Sequence, residues 1–124
     1  MVFGIGVDNA AVGRFEGKLQ NAAFCARIYG PAERAMLAGR SGRRAAEGAA
    51  GCFAAKEAFC KAAGRGLGGF SLVEVEALRS ESGAPYLAFS GGAAEWTEQN
   101  GLTAHLSITH DGGIATAVVL LERR

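Results

Sequence analysis

The chain has 124 residues, 49% hydrophobic and 20% charged, with a formal net charge of +1. That is the size of one domain and the composition of a globular protein, and it excludes a disordered polymer. No apolar run approaches a membrane span and no basic stretch precedes an apolar one at the N-terminus, so a single domain over 1–124 in the cytoplasm, without a membrane partner, is expected.

The predicted elements begin with "VFGIGV", a strand over Val2 to Val7. Phe3, Ile5 and Val7 share one face, and Gly4, Gly6 and Asp8 share the other. Gly4-Ile5-Gly6-Val7-Asp8 is not a dinucleotide-binding turn, because Asn9 stands where G-x-G-x-x-G needs its third glycine. Glycines in a strand mark close approach by a ligand or by another backbone. A helix packed there would bury Asp8, and an unpaired buried carboxylate is costly, so a cation is expected at Asp8, either a side chain or a metal.

From Asn9 to about Leu37 the pattern is helical, in two or three short pieces broken near Gly30-Pro31. "AGRSGRR" is a basic loop or helix start with Ser41 a candidate N-cap. "AAEGAAGCFAAKEAFCKAAG" is rich in Ala, Lys and Glu, holds no β-branched residue and ends at Gly64, which predicts a long helix. "GRGLGG" is its glycine-rich exit loop. "SLVEVEAL" and "YLAFS" form a hairpin, with Val73, Val75 and Ala77 on one face of the first strand. "GGAAEWTEQNG" is a short helix, and "LTAHLSITH" and "IATAVVLLE" are strands joined by "DGG". The fold class is α+β, with helices concentrated in the first half and packed on a mainly antiparallel sheet from the second, which the first strand joins.

Charge is unevenly placed. Residues 1–65 hold ten Lys/Arg against five Asp/Glu, and residues 66–124 hold three against seven. A basic half without a general basic excess suits a local anionic partner or an Arg-rich solvated surface, rather than bulk nucleic acid. The odd count of cysteines (Cys25, Cys52 and Cys60) without C-x-x-C argues for a reducing compartment, and their spacing to His105 and His110 is not that of a zinc site.

On the long helix, Phe53, Glu57, Lys61 and Gly64 form one stripe, and Cys52, Lys56, Phe59, Cys60 and Ala63 lie beside it. Spacing alone allows a plain Glu57–Lys61 surface pair. Two carboxylates that converge, Asp8 and Glu57, also make half a shell for Mg2+ completed by phosphate. Lys61 would neutralise phosphate, and Gly64, Gly66 and Gly68 would bring backbone N–H groups to it. His110, at a strand end beside a turn, is a further anion donor or simply a strand-end residue. There is no G-x-x-x-x-G-K-[ST], so the site is not a P-loop.

The blocks "GIGVDNAAVGRF", "FAAKEAFCKAAGRG" and "HLSITHDGGIATAVVLLE", in that order, together resemble the holo-[acyl-carrier-protein] synthases, the small bacterial 4′-phosphopantetheinyl transferases. The resemblance spans nearly the whole chain, and the middle block is the specific one. It implies transfer of the phosphopantetheine arm of coenzyme A to a serine of an apo acyl carrier protein, with adenosine 3′,5′-bisphosphate released, in fatty-acid and other lipid metabolism. By the same resemblance, Asp8 and Glu57 hold Mg2+, Lys61 supports the phosphates, and His110 falls on the coenzyme A side. A metal-bound water and Glu57 both stand as acceptors of the serine proton. Arg14, with Arg27 nearby, matches the surface that receives the acidic carrier. The resemblance further implies a homotrimer with sites between subunits, where Asp8 and Glu57 meet His110 across an interface. Relatives often carry an arginine where this chain has Cys52, and Lys56, Arg43, Arg44 and Arg65 are candidate replacements. The contrasting readings are a coenzyme A or nucleotide-binding oligomeric module without turnover and, with less support from the sequence, a nucleic-acid binder.

Overall fold

The computed structural model describes residues 1–66 and 69–124. Its elements are β1 (Val2–Ala11), α1 (Ala22–Ile28), α2 (Pro31–Ala38), α3 (Gly42–Ala62), β2 (Val75–Arg79), β3 (Pro85–Phe89), α4 (Gly91–Gln99), β4 (Leu102–Asp111) and β5 (Ile114–Arg123). Short 3-10 turns cover Val12–Phe15, Lys18–Gln20 and Leu72–Glu74. The α+β class stands. No described helix is long and apolar enough to cross a membrane.

The strands form two sheets rather than the single one expected. β1, β5 and β4 make an antiparallel sheet in that order, while β2 and β3 pair only with each other. The hairpin belongs to the other flank of α3, where Phe59 packs against Phe89 of β3, Phe70 and Trp96, with ring centroids 4.9, 5.3 and 6.2 Å away. The expected strand from Ser71 also starts later, because Leu72–Glu74 coils into a 3-10 turn.

β1 runs past the predicted end at Val7. Asn9, Ala10 and Ala11, read as helical, pair with Thr116, Ala115 and Ile114. The helical preference of Ala is a few tenths of a kcal/mol, and a full ladder of backbone hydrogen bonds overrides it. The Thr116 hydroxyl adds a 2.7 Å hydrogen bond to Asn9 Oδ1.

α3 is the central element, 21 residues long and mostly buried. Ser41 occupies its N-cap position, although its side chain makes no capping hydrogen bond. At the other end the Gly64 N–H donates to Lys61 O and the Arg65 N–H to Cys60 O, both at 3.0 Å, while Gly64 takes φ +76°. This is a Schellman ending, which glycine adopts without strain. One face of the three-stranded sheet lies on α3. There Gly4, Gly6 and Asp8 alternate along β1, opposite the buried Leu121, Val119 and Ala117. A Cβ on Gly6 would collide with the Ala58 carbonyl oxygen and sit 2.7 Å from Ala62 N, and one on Gly4 would collide with Ala62 O. The glycines of β1 therefore admit the backbone of α3, not a ligand.

Candidate functional site

With the strand face filled by a helix, Asp8 needs a partner, and α3 provides it. Lys61 Nζ lies 2.9 Å from Asp8 Oδ1 and donates a second hydrogen bond to Val7 O at 3.0 Å. A side-chain cation therefore stands at Asp8 Oδ1. The Glu57–Lys61 surface pair does not form; Lys61 turns to β1 instead.

Glu57 lies one turn before Lys61 on α3, nearly buried at 7% exposure. Its Oε1 is buried without a hydrogen-bond partner. Burial, reinforced by the nearby Asp8 charge, raises its proton affinity above that of an ordinary glutamate; Lys61 and Arg14 oppose this. A buried, unsatisfied carboxylate oxygen beside a second carboxylate is an unstable arrangement on its own and a favourable one around a cation. No cluster of three His, Cys, Asp or Glu exists among the described residues, so no closed protein cage is on offer there. Two carboxylates fit Mg2+, which keeps waters or phosphate oxygens in the rest of its shell.

Arg14 follows β1 in the turn Val12–Phe15, and its guanidinium sits over the rings of Phe15 and Phe53, 5.6 and 5.7 Å from their centroids. Phe53 is one turn before Glu57, so this aromatic bed holds Arg14 toward the carboxylates. The bed was missed in the sequence, although the four-residue spacing of Phe53 and Glu57 was visible. Arg27 is exposed in the last turn of α1.

His110 is not with this group in the single chain. Its Nε2 donates to Glu47 O at 3.0 Å, and its ring lies against Gly51. Gly51 precedes Glu57 by six residues, about 9 Å along the helix. Gly64 has open space where a side chain would be, but its N–H is committed to the helix end. Gly66 is also left-handed at φ +64°, and Gly68 lies outside the described residues.

Lys56 is not available to a phosphate. It is fully buried, forms an ion pair with Glu33 of α2, and donates to Leu72 O at 3.0 Å and Val75 O at 2.6 Å. Glu33 also accepts from Ala77 N at 2.8 Å and Gly30 N at 3.0 Å. Every partner of the pair is satisfied, which is how a buried charge pair persists. Cys52 and Cys60 are core residues; burial pushes their thiols up to about 12 and about 11.

Residues 4–119 match the family model of the 4′-phosphopantetheinyl transferase superfamily. The chain is 42% identical to a holo-[acyl-carrier-protein] synthase of Trichlorobacter lovleyi, with 98% of each sequence covered. It is 41% identical to another from a Geobacter species, covering 99% of this chain and 100% of the other. Among solved structures, the fold matches a holo-(acyl-carrier-protein) synthase from Bacillus anthracis in complex with CoA (3′,5′-ADP), with a TM-score of 0.84, 37% identity, and 100% and 99% of the two chains covered. It also matches one from Helicobacter pylori in complex with coenzyme A, at TM-score 0.78 and 28% identity, covering 95% and 99%.

Proposed function

The chain belongs to the 4′-phosphopantetheinyl transferase superfamily, and from that membership and its site we propose that it is a Mg2+-dependent enzyme moving the 4′-phosphopantetheine group of coenzyme A to a serine of an apo acyl carrier protein. The serine oxygen forms a bond to the β-phosphorus, the bond from that phosphorus to the bridging oxygen breaks, and adenosine 3′,5′-bisphosphate leaves. The observation that carries the reading is the buried, partnerless Glu57 Oε1 beside the Asp8 carboxylate.

Asp8 and Glu57 are the residues that would hold Mg2+. When bound, the ion supplies positive charge to the pyrophosphate oxygens and makes the leaving group better. Lys61 is positioned before substrate arrives: Asp8 Oδ1 and Val7 O fix its ammonium, and half of the side chain remains exposed to meet a phosphate oxygen. Such preorganised charge is what phosphoryl transfer needs from a protein, since there is little covalent work to do. Gly64, with no side chain at the end of α3, leaves room for the pyrophosphate beside Lys61, although its own N–H is held by the helix end. Arg14 and Arg27 receive the acidic carrier, and their charge raises the encounter rate and sets its orientation.

His110 joins the coenzyme A site from a neighbouring subunit of a homotrimer. Support for assembly comes from the sheet face turned away from α3, where Ile5, Val7 and Val118 are 65%, 53% and 37% exposed. Contiguous apolar residues of this kind mark an interface. The whole of 1–124 works as one transferase domain. Its three free, buried cysteines suit the cytoplasm.

The test is intact mass. The protein is incubated with coenzyme A, Mg2+ and an apo acyl carrier protein, with and without a chelator. The carrier should gain a phosphopantetheine mass only without chelator, with adenosine 3′,5′-bisphosphate formed in equal amount. Coenzyme A binding without either product would favour a non-catalytic module.

A further inference from the structure

The sheet face turned away from α3 carries a charged pair among its apolar residues, and the transfer chemistry has no use for it. Residues directly opposite in antiparallel strands point to the same side. Ile5, Leu120 and His105 form one such row across β1, β5 and β4, and Val7, Val118 and Ser107 form the next. Glu122, two residues beyond Leu120, shares that side. His105 Nε2 lies 3.0 Å from Glu122 Oε1, with 55% and 50% of the two side chains exposed. Asp111, the other charged residue of this face, stands at the far end of β4. α3 and α4 pack on the opposite side, so their charges, Glu95 and Glu98 of α4 among them, lie behind the sheet. β3, which packs beside β4, has Tyr86 as its one titratable residue. Arg123, Arg124 and the Met1 amine lie at the strand ends, yet among the described residues only His105 is within ion-pair distance of Glu122.

We propose that self-association through this face is coupled to a proton on His105. The inference rests on the homotrimer proposed above and names what regulates it. With the imidazole neutral, Glu122 is an unanswered charge beside Leu120 and Ile5. Bringing copies of the face together then strips water from that carboxylate and draws like charges toward one another. With the imidazole protonated, the pair is neutral as a whole and Nε2–H donates to the carboxylate. The assembled state therefore holds the proton more tightly than the free subunit does, and assembly takes protons up. It is favoured below the range in which histidine changes charge, roughly pH 5–8, and weakens as pH rises through that range. Net charge acts in the opposite direction: the chain is +1 with neutral histidines and grows more positive in acid, which drives copies apart. Tighter assembly in acid is thus the mark of the local pair.

The experiment is sedimentation equilibrium of the intact chain over a range of concentrations, at about pH 5.5 and about pH 8, in fixed salt and without coenzyme A. The midpoint concentration of assembly should be at least about tenfold lower in acid. Glu122→Gln leaves no charge to desolvate, so it should assemble at the higher pH about as tightly as the wild type does at the lower one. His105→Gln keeps the carboxylate and removes its partner, so it should assemble weakly at both. Both substitutions fall at exposed positions, and the circular dichroism of each variant should match the wild type. The readout is mass, so it does not depend on the transfer reaction. Assembly equally tight at the two pH values, or a pH dependence that survives in Glu122→Gln or His105→Gln, overturns the inference and leaves the trimer standing. A single-subunit mass at every concentration and both pH values overturns the trimer and the inference together.

Discussion

Lys61 of α3 reaches β1 and sets its ammonium between Asp8 Oδ1, at 2.9 Å, and the Val7 carbonyl oxygen, at 3.0 Å. The two residues are 53 positions apart in sequence. With 53% of the lysine and 20% of the aspartate side chain exposed, the pair contributes less than about 1 kcal/mol to stability. Its value lies in aiming a cation. Lys61→Ala should melt within a few degrees of the wild type and lose about a hundredfold or more in transfer rate, measured by carrier mass against time.

Glu57 carries a testable pH dependence. Its proton affinity is raised by burial and by Asp8, so its ionised form destabilises the folded state. The folded state therefore suffers no penalty from Glu57 below the unfolded pKa, and loses stability as pH rises through the raised folded value. Glu57→Gln removes that charge. In the absence of divalent metal it should melt higher than wild type at neutral pH, by about 1 kcal/mol or a few degrees, and the gap should close in acid. Mg2+ should raise the melting temperature of the wild type and not that of Glu57→Gln, whose transfer activity is lost.

Gly6 and Gly13 make a matched test of close packing. A Cβ on Gly6 meets the backbone of Ala58 and Ala62, whereas one on Gly13 meets nothing within 4 Å. Gly6→Ala should cost about 3 kcal/mol by urea denaturation, because backbone on both sides cannot yield. Gly13→Ala should be neutral or slightly stabilising.

The Glu33–Lys56 pair is buried on both sides. Lys56→Met leaves the buried Glu33 without its counter-ion, and should cost about 3–5 kcal/mol. Glu33→Gln combined with Lys56→Met removes both charges and should recover much of that loss. A double mutant no more stable than the single one would mean that the lysine matters for packing alone.

Val7 and Val118 face each other across β1 and β5 on the exposed side of the sheet. On the proposed homotrimer, Val118→Lys should leave monomers in light scattering, since a buried, unpaired charge costs about 3–5 kcal/mol at an interface. On the same proposal the monomer should also lose transfer, because His110 would no longer come from a neighbour.

What the sequence determined was whatever has a local period. The Ala, Lys and Glu run without β-branching is α3, and the alternation of "IATAVVLLE" is β5 because its alternate residues face α3. The stripe holding Phe53, Glu57 and Lys61 came from the same 3.6-residue repeat. Tertiary structure decided everything that depends on which surfaces meet. Asn9–Ala11 became strand because β5 was there to pair with it. Lys56 and Lys61 lie on adjoining stripes of one helix and both stood as phosphate cations, yet one is sealed against Glu33 and the other is aimed by Asp8. A helical repeat gives a side chain its direction, but its protonation, partner and exposure are set by the element packed opposite, and that element lies many residues away in the chain.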